Sequence, residues 1–134
     1  METECMPITV DEYFMGRRAE YADEFNDKIQ QNAEGLVRKV NEMLLNLCYD
    51  KASVSSGWRP SAINKRVGGA LRSKHLTGEA VDLHDPRGEL AALIKNNLNA
   101  LAWHGLYMED PASTKGWVHL QDVAPASGKR IFKP

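Results

Sequence analysis

The sequence predicts an α+β fold in which a small antiparallel sheet packs against helices. Three observations predict it. Helical and strand-like stretches come in blocks rather than in strict alternation. A long run with apolar residues at three- and four-residue spacing fills the middle of the N-terminal half. Near the C-terminus two short strand-like runs are joined by a turn-rich loop, the pattern of a hairpin. The chain has 134 residues, enough for one domain with its own core. We expect one domain over 1–134, with a helical part at about 9–49 and a second part at about 53–121 that carries the chemistry.

Thr9-Val10-Asp11-Glu12 has capping-box spacing ahead of Tyr13-Phe14, so a short first helix is expected there. Met15 to Tyr21, with Gly16 and the basic pair Arg17-Arg18, reads as a polar loop. From about Phe25 to Tyr49, Ile29, Ala33, Leu36, Val37, Val40, Met43, Leu44 and Leu47 mark one face of a long helix. Ala52 to Trp58 is a strand of small residues. Pro60 suits the first turn of a helix over Ser61–Val67, which Gly68-Gly69 ends. Ala70 to Gly78 shows no period and reads as loop. Glu79 to Leu83 alternates, with Ala80, Asp82 and His84 on one side and Val81 and Leu83 on the other. After the turn Asp85-Pro86-Arg87-Gly88, the apolar positions from Leu90 to Leu101 predict a second amphipathic helix. Leu106–Glu109 and Trp117–Gln121 form the hairpin, and Ile131-Phe132 is a last edge strand.

Composition removes several classes of function. Net charge is -1, so nothing favours a nucleic-acid partner. No run is long and apolar enough to span a bilayer. The N-terminus has neither a basic nor an apolar signal region, so we expect a cytoplasmic protein with no signal peptide, in a host cytoplasm or virion if phage-encoded. Cys5 and Cys48 do not make a disulfide framework; both are expected reduced, with Cys48 a small core residue. A monomer is expected.

The chemistry concentrates in Ser73-Lys74-His75-Leu76-Thr77-Gly78-Glu79-Ala80-Val81-Asp82-Leu83, where a carboxylate follows a histidine seven residues later. Gly116-Trp117-Val118-His119-Leu120 adds a second imidazole. Two imidazoles and one carboxylate are the ligand set of a catalytic zinc, which keeps its fourth position for water. Hydrolysis at such a site also needs a general base within hydrogen-bond reach. Glu109 is the best placed: if the hairpin pairs it with His119, both side chains leave one face of the sheet. Asp110 would then point to the other face, and a bulge or one-residue slip would exchange the two. Trp117 reads as core packing, as cleft wall, or as both. His84 and His104 are the remaining histidines, read as an exposed and a loop residue.

The stretch Ser73-x-His75-x-x-Gly78-x-Ala80-x-Asp82, followed by Trp117-x-His119, resembles the zinc D-Ala-D-Ala carboxypeptidase family, peptidase family M15. That family includes phage endolysins that cleave L-alanyl-D-glutamate links, and it shares its fold with the hedgehog signalling domain. Ser56-Gly57-Trp58-Arg59-Pro60 and Val67-Gly68-Gly69 are similar to the segment that precedes the metal motif there. The resemblance covers about Ser53 to Gln121. It implies zinc ligands at His75, Asp82 and His119, a substrate-binding Arg59, and Ser73 near the substrate. Many members carry the catalytic carboxylate three residues before the last histidine, where this chain has Gly116. The base must then come from Glu109 or Asp110, or the chain is a non-catalytic relative. The expected function is zinc-dependent hydrolysis of peptidoglycan stem peptides. The alternatives are a zinc-binding structural domain, for example a phage tail component, and a zinc amidase acting on another small peptide.

Overall fold

The computed structural model describes residues 6–134, so Cys5 and most of the N-terminal segment read for a signal lie outside the described residues. The elements run α1 (Val10–Phe14), α2 (Arg17–Glu20), α3 (Asp27–Asn46), β1 (Val54–Ser56), α4 (Ser61–Arg66), β2 (Ala80–Asp85), α5 (Glu89–Lys95), α6 (Leu98–Trp103), β3 (Tyr107–Glu109), β4 (Gly116–Gln121) and β5 (Ile131–Phe132), with 3₁₀ turns at Lys74–Thr77 and Pro111–Ser113. The five strands form one sheet in the order β1-β2-β4-β3-β5. β1, β2, β4 and β3 pair antiparallel in turn, as the alternation and the hairpin predict. β5 pairs parallel with β3, so the sheet is mixed rather than purely antiparallel. β5 runs antiparallel to β4 but lies beyond β3, so the link from β4 has to carry the chain past β3, which a tight hairpin could not do.

α1 begins with the predicted capping box, Thr9 and Glu12 bonding each other's backbone. The stretch expected to be a loop instead restarts as α2. Met15 and Gly16, both at positive φ, break the helix first. Its basic pair is not simply solvated: Arg17 Nη1 donates to the Trp58 carbonyl at 2.9 Å, and Arg18 Nη2 donates to Asp11 Oδ1 at 2.6 Å.

α3 is capped by the Asn26 side chain and buries Ile29, Ala33, Leu36, Val37, Val40, Met43 and Leu44. These join Val81 and Leu83 of β2, Val118 and Leu120 of β4, and Met108 of β3 in one core. One face of the sheet is thereby committed to packing, and the alternate residues are left for other work. α3 ends in a Schellman motif: Tyr49 N–H donates to the Leu44 carbonyl and Cys48 N–H to the Leu45 carbonyl. Cys48 takes the left-handed position of that motif, at φ 56°, and is exposed. The expectation of a core cysteine fails because the helix has already turned away from the core at that residue.

The apolar run from Leu90 to Leu101 is two helices, not one. Asn97 lies between α5 and α6 at φ −139°, a value no helical residue adopts. The break turns Leu98 outward, while Leu90, Ile94 and Leu101 stay buried. No helix among the described residues is long and apolar enough to cross a membrane.

Candidate metal centre

Asp82 and His119 are brought together by strand register. In the β2–β4 pair they are direct partners, flanked by Val81–Leu120 and Leu83–Val118. The flanking pairs face the core, so the alternation that buries them turns Asp82 and His119 to the opposite face. His75 reaches the same point from the 3₁₀ turn Lys74–Thr77, in the segment expected to lack structure. Ser73 caps that turn by accepting from His75 N–H, and Gly78 closes it at φ +79°. All three side chains are buried, and one ligand atom from each lies within 4.8 Å of the others.

Hydrogen-bond partners fix which atoms meet. His75 Nδ1 lies 2.8 Å from the Gly57 carbonyl oxygen. A carbonyl only accepts, so His75 carries its proton on Nδ1 and offers a lone pair on Nε2. That Nε2 is 3.1 Å from Asp82 Oδ1. His119 Nε2 lies 2.8 Å from Gln121 Oε1. The amide cannot be turned over without loss, because Gln121 Nε2 donates to the Val123 carbonyl at 2.8 Å. His119 therefore carries its proton on Nε2 and turns the Nδ1 lone pair toward Asp82 Oδ1, 2.9 Å away. With both imidazoles neutral in these tautomers, their lone pairs converge on one carboxylate oxygen, a contact that a bound cation relieves. A tetrahedral shell with bonds of ~2.0–2.1 Å sets its ligand atoms roughly 3.3–3.4 Å apart. The observed spacings need little adjustment to hold such an ion, and the donor set suits zinc.

A proton competes with a cation for that place. Burial pushes the Asp82 carboxyl up, but its close contacts with the His119 and His75 imidazoles outweigh that and hold it well below the usual carboxylate range. For His119, burial lowers the imidazole, yet the hydrogen bond and charge of Asp82 prevail and raise it. For His75 burial wins and the imidazole is held down. The second carboxylate oxygen, Oδ2, faces Arg59 Nη2 at 3.4 Å. Arg59 also donates to Asn64 Oδ1 at 2.9 Å and to Ser56 Oγ at 3.3 Å. A Cβ at Gly69 would come within 2.1 Å of Asn64 Oδ1 and 2.6 Å of Arg59 Nη1, so this arrangement needs glycine there.

The three donors open onto a cleft of about 540 Å³ that Arg59, Ser73, Glu109, Trp117, Gln121 and Phe132 also line. Glu109 stands at the end of β3; the register pairs Met108 with Leu120, and one step further sets Glu109 opposite His119. Burial pushes its carboxyl up; His119 draws it down, while Asp82 and Asp110 add to the rise. Asp110 is occupied elsewhere, its Oδ1 capping the Pro111–Ser113 turn by accepting from Ala112 N–H at 3.0 Å. Trp117 is partly exposed at the cleft edge, and Gly116, exposed at φ +99°, brings no side chain to it. His84 is exposed; His104 lies away from the cleft against Asn46.

Three contributors escaped the sequence reading. Gln121 shares the His119 face at two-residue spacing, a signal the strand period already contained. Phe132 sets its ring edge-on to His119, 6.1 Å between centroids, from a strand more than ten residues further on. The Gly57 carbonyl has no side-chain signature at all.

Compared with known protein families, the chain matches the family model described as Peptidase M15 over residues 14–121, a span that includes His75, Asp82 and His119. No curated protein matches it.

Proposed function

The chain belongs to the Peptidase M15 family, and from that premise we propose that it is a zinc metallopeptidase that hydrolyses peptide bonds in peptidoglycan stem peptides, of the D,D-carboxypeptidase or L-Ala-D-Glu endopeptidase type. The observation that carries the reading is the convergence of the His75, Asp82 and His119 electron pairs at the base of an open cleft. Zinc bound there supplies Lewis acidity, lowering the pKa of water to about 7 and polarising a carbonyl.

The protein's own groups do the rest. Glu109 takes one proton from the attacking water as its oxygen adds to the scissile carbonyl carbon. It then delivers that proton to the amide nitrogen as the C–N bond breaks, so the products are a carboxylic acid and an amine. Half-burial and a raised carboxyl suit both halves of that exchange. Arg59 steadies Asp82 through Oδ2, and the face it turns to the cleft suits a substrate carboxylate or the carbonyl oxygen. Trp117 walls the cleft and Ser73 holds the turn that carries His75. Arg72 and Lys74 on the rim add positive charge, which favours an acidic stem peptide.

One observation favours a second reading. Gly116 stands where many family members keep the catalytic carboxylate, which fits a zinc-holding domain without turnover, such as a virion component. Purified peptidoglycan separates the two. The peptidase reading expects release of new amines or stem fragments that chelator abolishes and added zinc restores. No release from any wall preparation, by protein that holds zinc, replaces it with the binding reading.

A further inference from the structure

We propose that Gln121 is a positioning residue that determines which nitrogen of His119 is offered to the metal. The inference rests on the metal reading of the site and not on hydrolysis. A neutral imidazole has one proton and two places to keep it. In the metal-free site the strongest acceptor beside His119 is the Asp82 carboxylate, which faces Nδ1 at 2.9 Å. Left to that contact alone, the proton would settle on Nδ1 and occupy the electron pair needed for coordination. Gln121 Oε1 competes for it from the other side of the ring, at 2.8 Å from Nε2. The amide is held in this orientation by its own bond to the Val123 carbonyl, and Gln121 is 5% exposed, so water does not substitute for it. Its backbone is fixed as well, paired with Ala80 on one side and Tyr107 on the other. Partners of this kind typically alter metal affinity by about 10–100-fold.

The test compares Gln121→Met, which keeps the volume and removes the acceptor, with Gln121→Glu, which keeps an acceptor oxygen. Zinc affinity is measured by chelator competition and the ligand field by the visible spectrum of the Co²⁺-loaded protein. Thermal unfolding of the metal-free proteins is followed alongside. Expected are a loss of about 10–100-fold in affinity for Gln121→Met at an unchanged metal-free melting temperature, and recovery of most of that loss in Gln121→Glu. A wild-type affinity and Co²⁺ spectrum for Gln121→Met overturns the proposal. So does an affinity loss matched by a fall in metal-free melting temperature that Gln121→Glu does not repair, since that is a packing effect. Should Gln121→Met fail to fold, ¹⁵N spectra of the zinc-loaded wild type decide alone: a protonated Nε2 supports the proposal and a protonated Nδ1 overturns it. Wild-type protein that holds no zinc overturns both this role and the metal reading. Zinc bound equally well by wild type and Gln121→Met removes only the role of Gln121.

Discussion

Glu109 and Asp110 are adjacent acids with different occupations. Asp110 spends its carboxylate on the turn that follows β3, whereas Glu109 lines the cleft and its side chain makes no hydrogen bond to the described residues. Glu109→Gln keeps the shape and loses the proton acceptor. It is expected to retain zinc and the fold while hydrolysis of stem peptides falls by roughly 10²–10⁴-fold. Asp110→Asn, which can still accept from Ala112 N–H, is expected to cost far less; both are read by amine release from peptidoglycan. Equal rates for wild type and Glu109→Gln would show that the base lies elsewhere. The candidate cluster His75, Asp82 and His119, which the fold brings together, was legible in the sequence because a candidate ligand set is a matter of side-chain types at a spacing. The acceptors that set their tautomers were not: one is a backbone carbonyl, at Gly57, and the other is a glutamine, a residue found as easily on any solvated strand.

The secondary structure was legible where one period ran long enough to be counted. α3, with two decades of residues and one apolar face, appears where expected, and the strands that alternate do so with the expected faces. Short pieces escaped. α2 and the turn at Lys74–Thr77 are four residues each, too brief for a period to show. The division between α5 and α6 is made by backbone at Asn97, while the apolar positions on either side continue almost in step. The core face of α3 carries the prediction here. Leu44 is fully buried in the cluster shared with β2, β3 and β4. Leu44→Ala is expected to lower the unfolding free energy by about 2–5 kcal/mol in denaturant titrations, through the lost transfer energy and the cavity left behind. A change within the error of the fit would mean that α3 does not pack on the sheet as described.

For the molecule taken together, protons and metal compete for one place, and the competition has a sign. His119 is raised in the metal-free fold, so its contribution to stability is present below the unfolded value and is lost as pH rises through the folded one. Asp82 is depressed and contributes above the unfolded aspartate value, losing that contribution only in acid. His75, held down, stays neutral through the same window. Zinc needs the Nδ1 electron pair of His119 free, so its affinity is lost as pH falls through the raised value and regained above it. The increase in melting temperature on adding zinc is therefore expected to grow as pH rises from the ordinary histidine value through the raised value of His119. Thermal melts at several pH values, with zinc and with chelator, measure it; an increment that shrinks over this range would contradict the assignment of His119.

The pairing of Asp82 with His119 has a further consequence, in time rather than in space. His75 and Asp82 are separated by seven positions, but Asp82 and His119 are separated by 37. A growing polypeptide thus carries two of its three donors early and cannot complete the set until β4 has left the ribosome and found β2. An ion met before then gains only a loose two-point hold and can depart. On the metal reading, lasting capture would therefore wait until the β2–β4 ladder has closed in the alignment that sets Asp82 opposite His119.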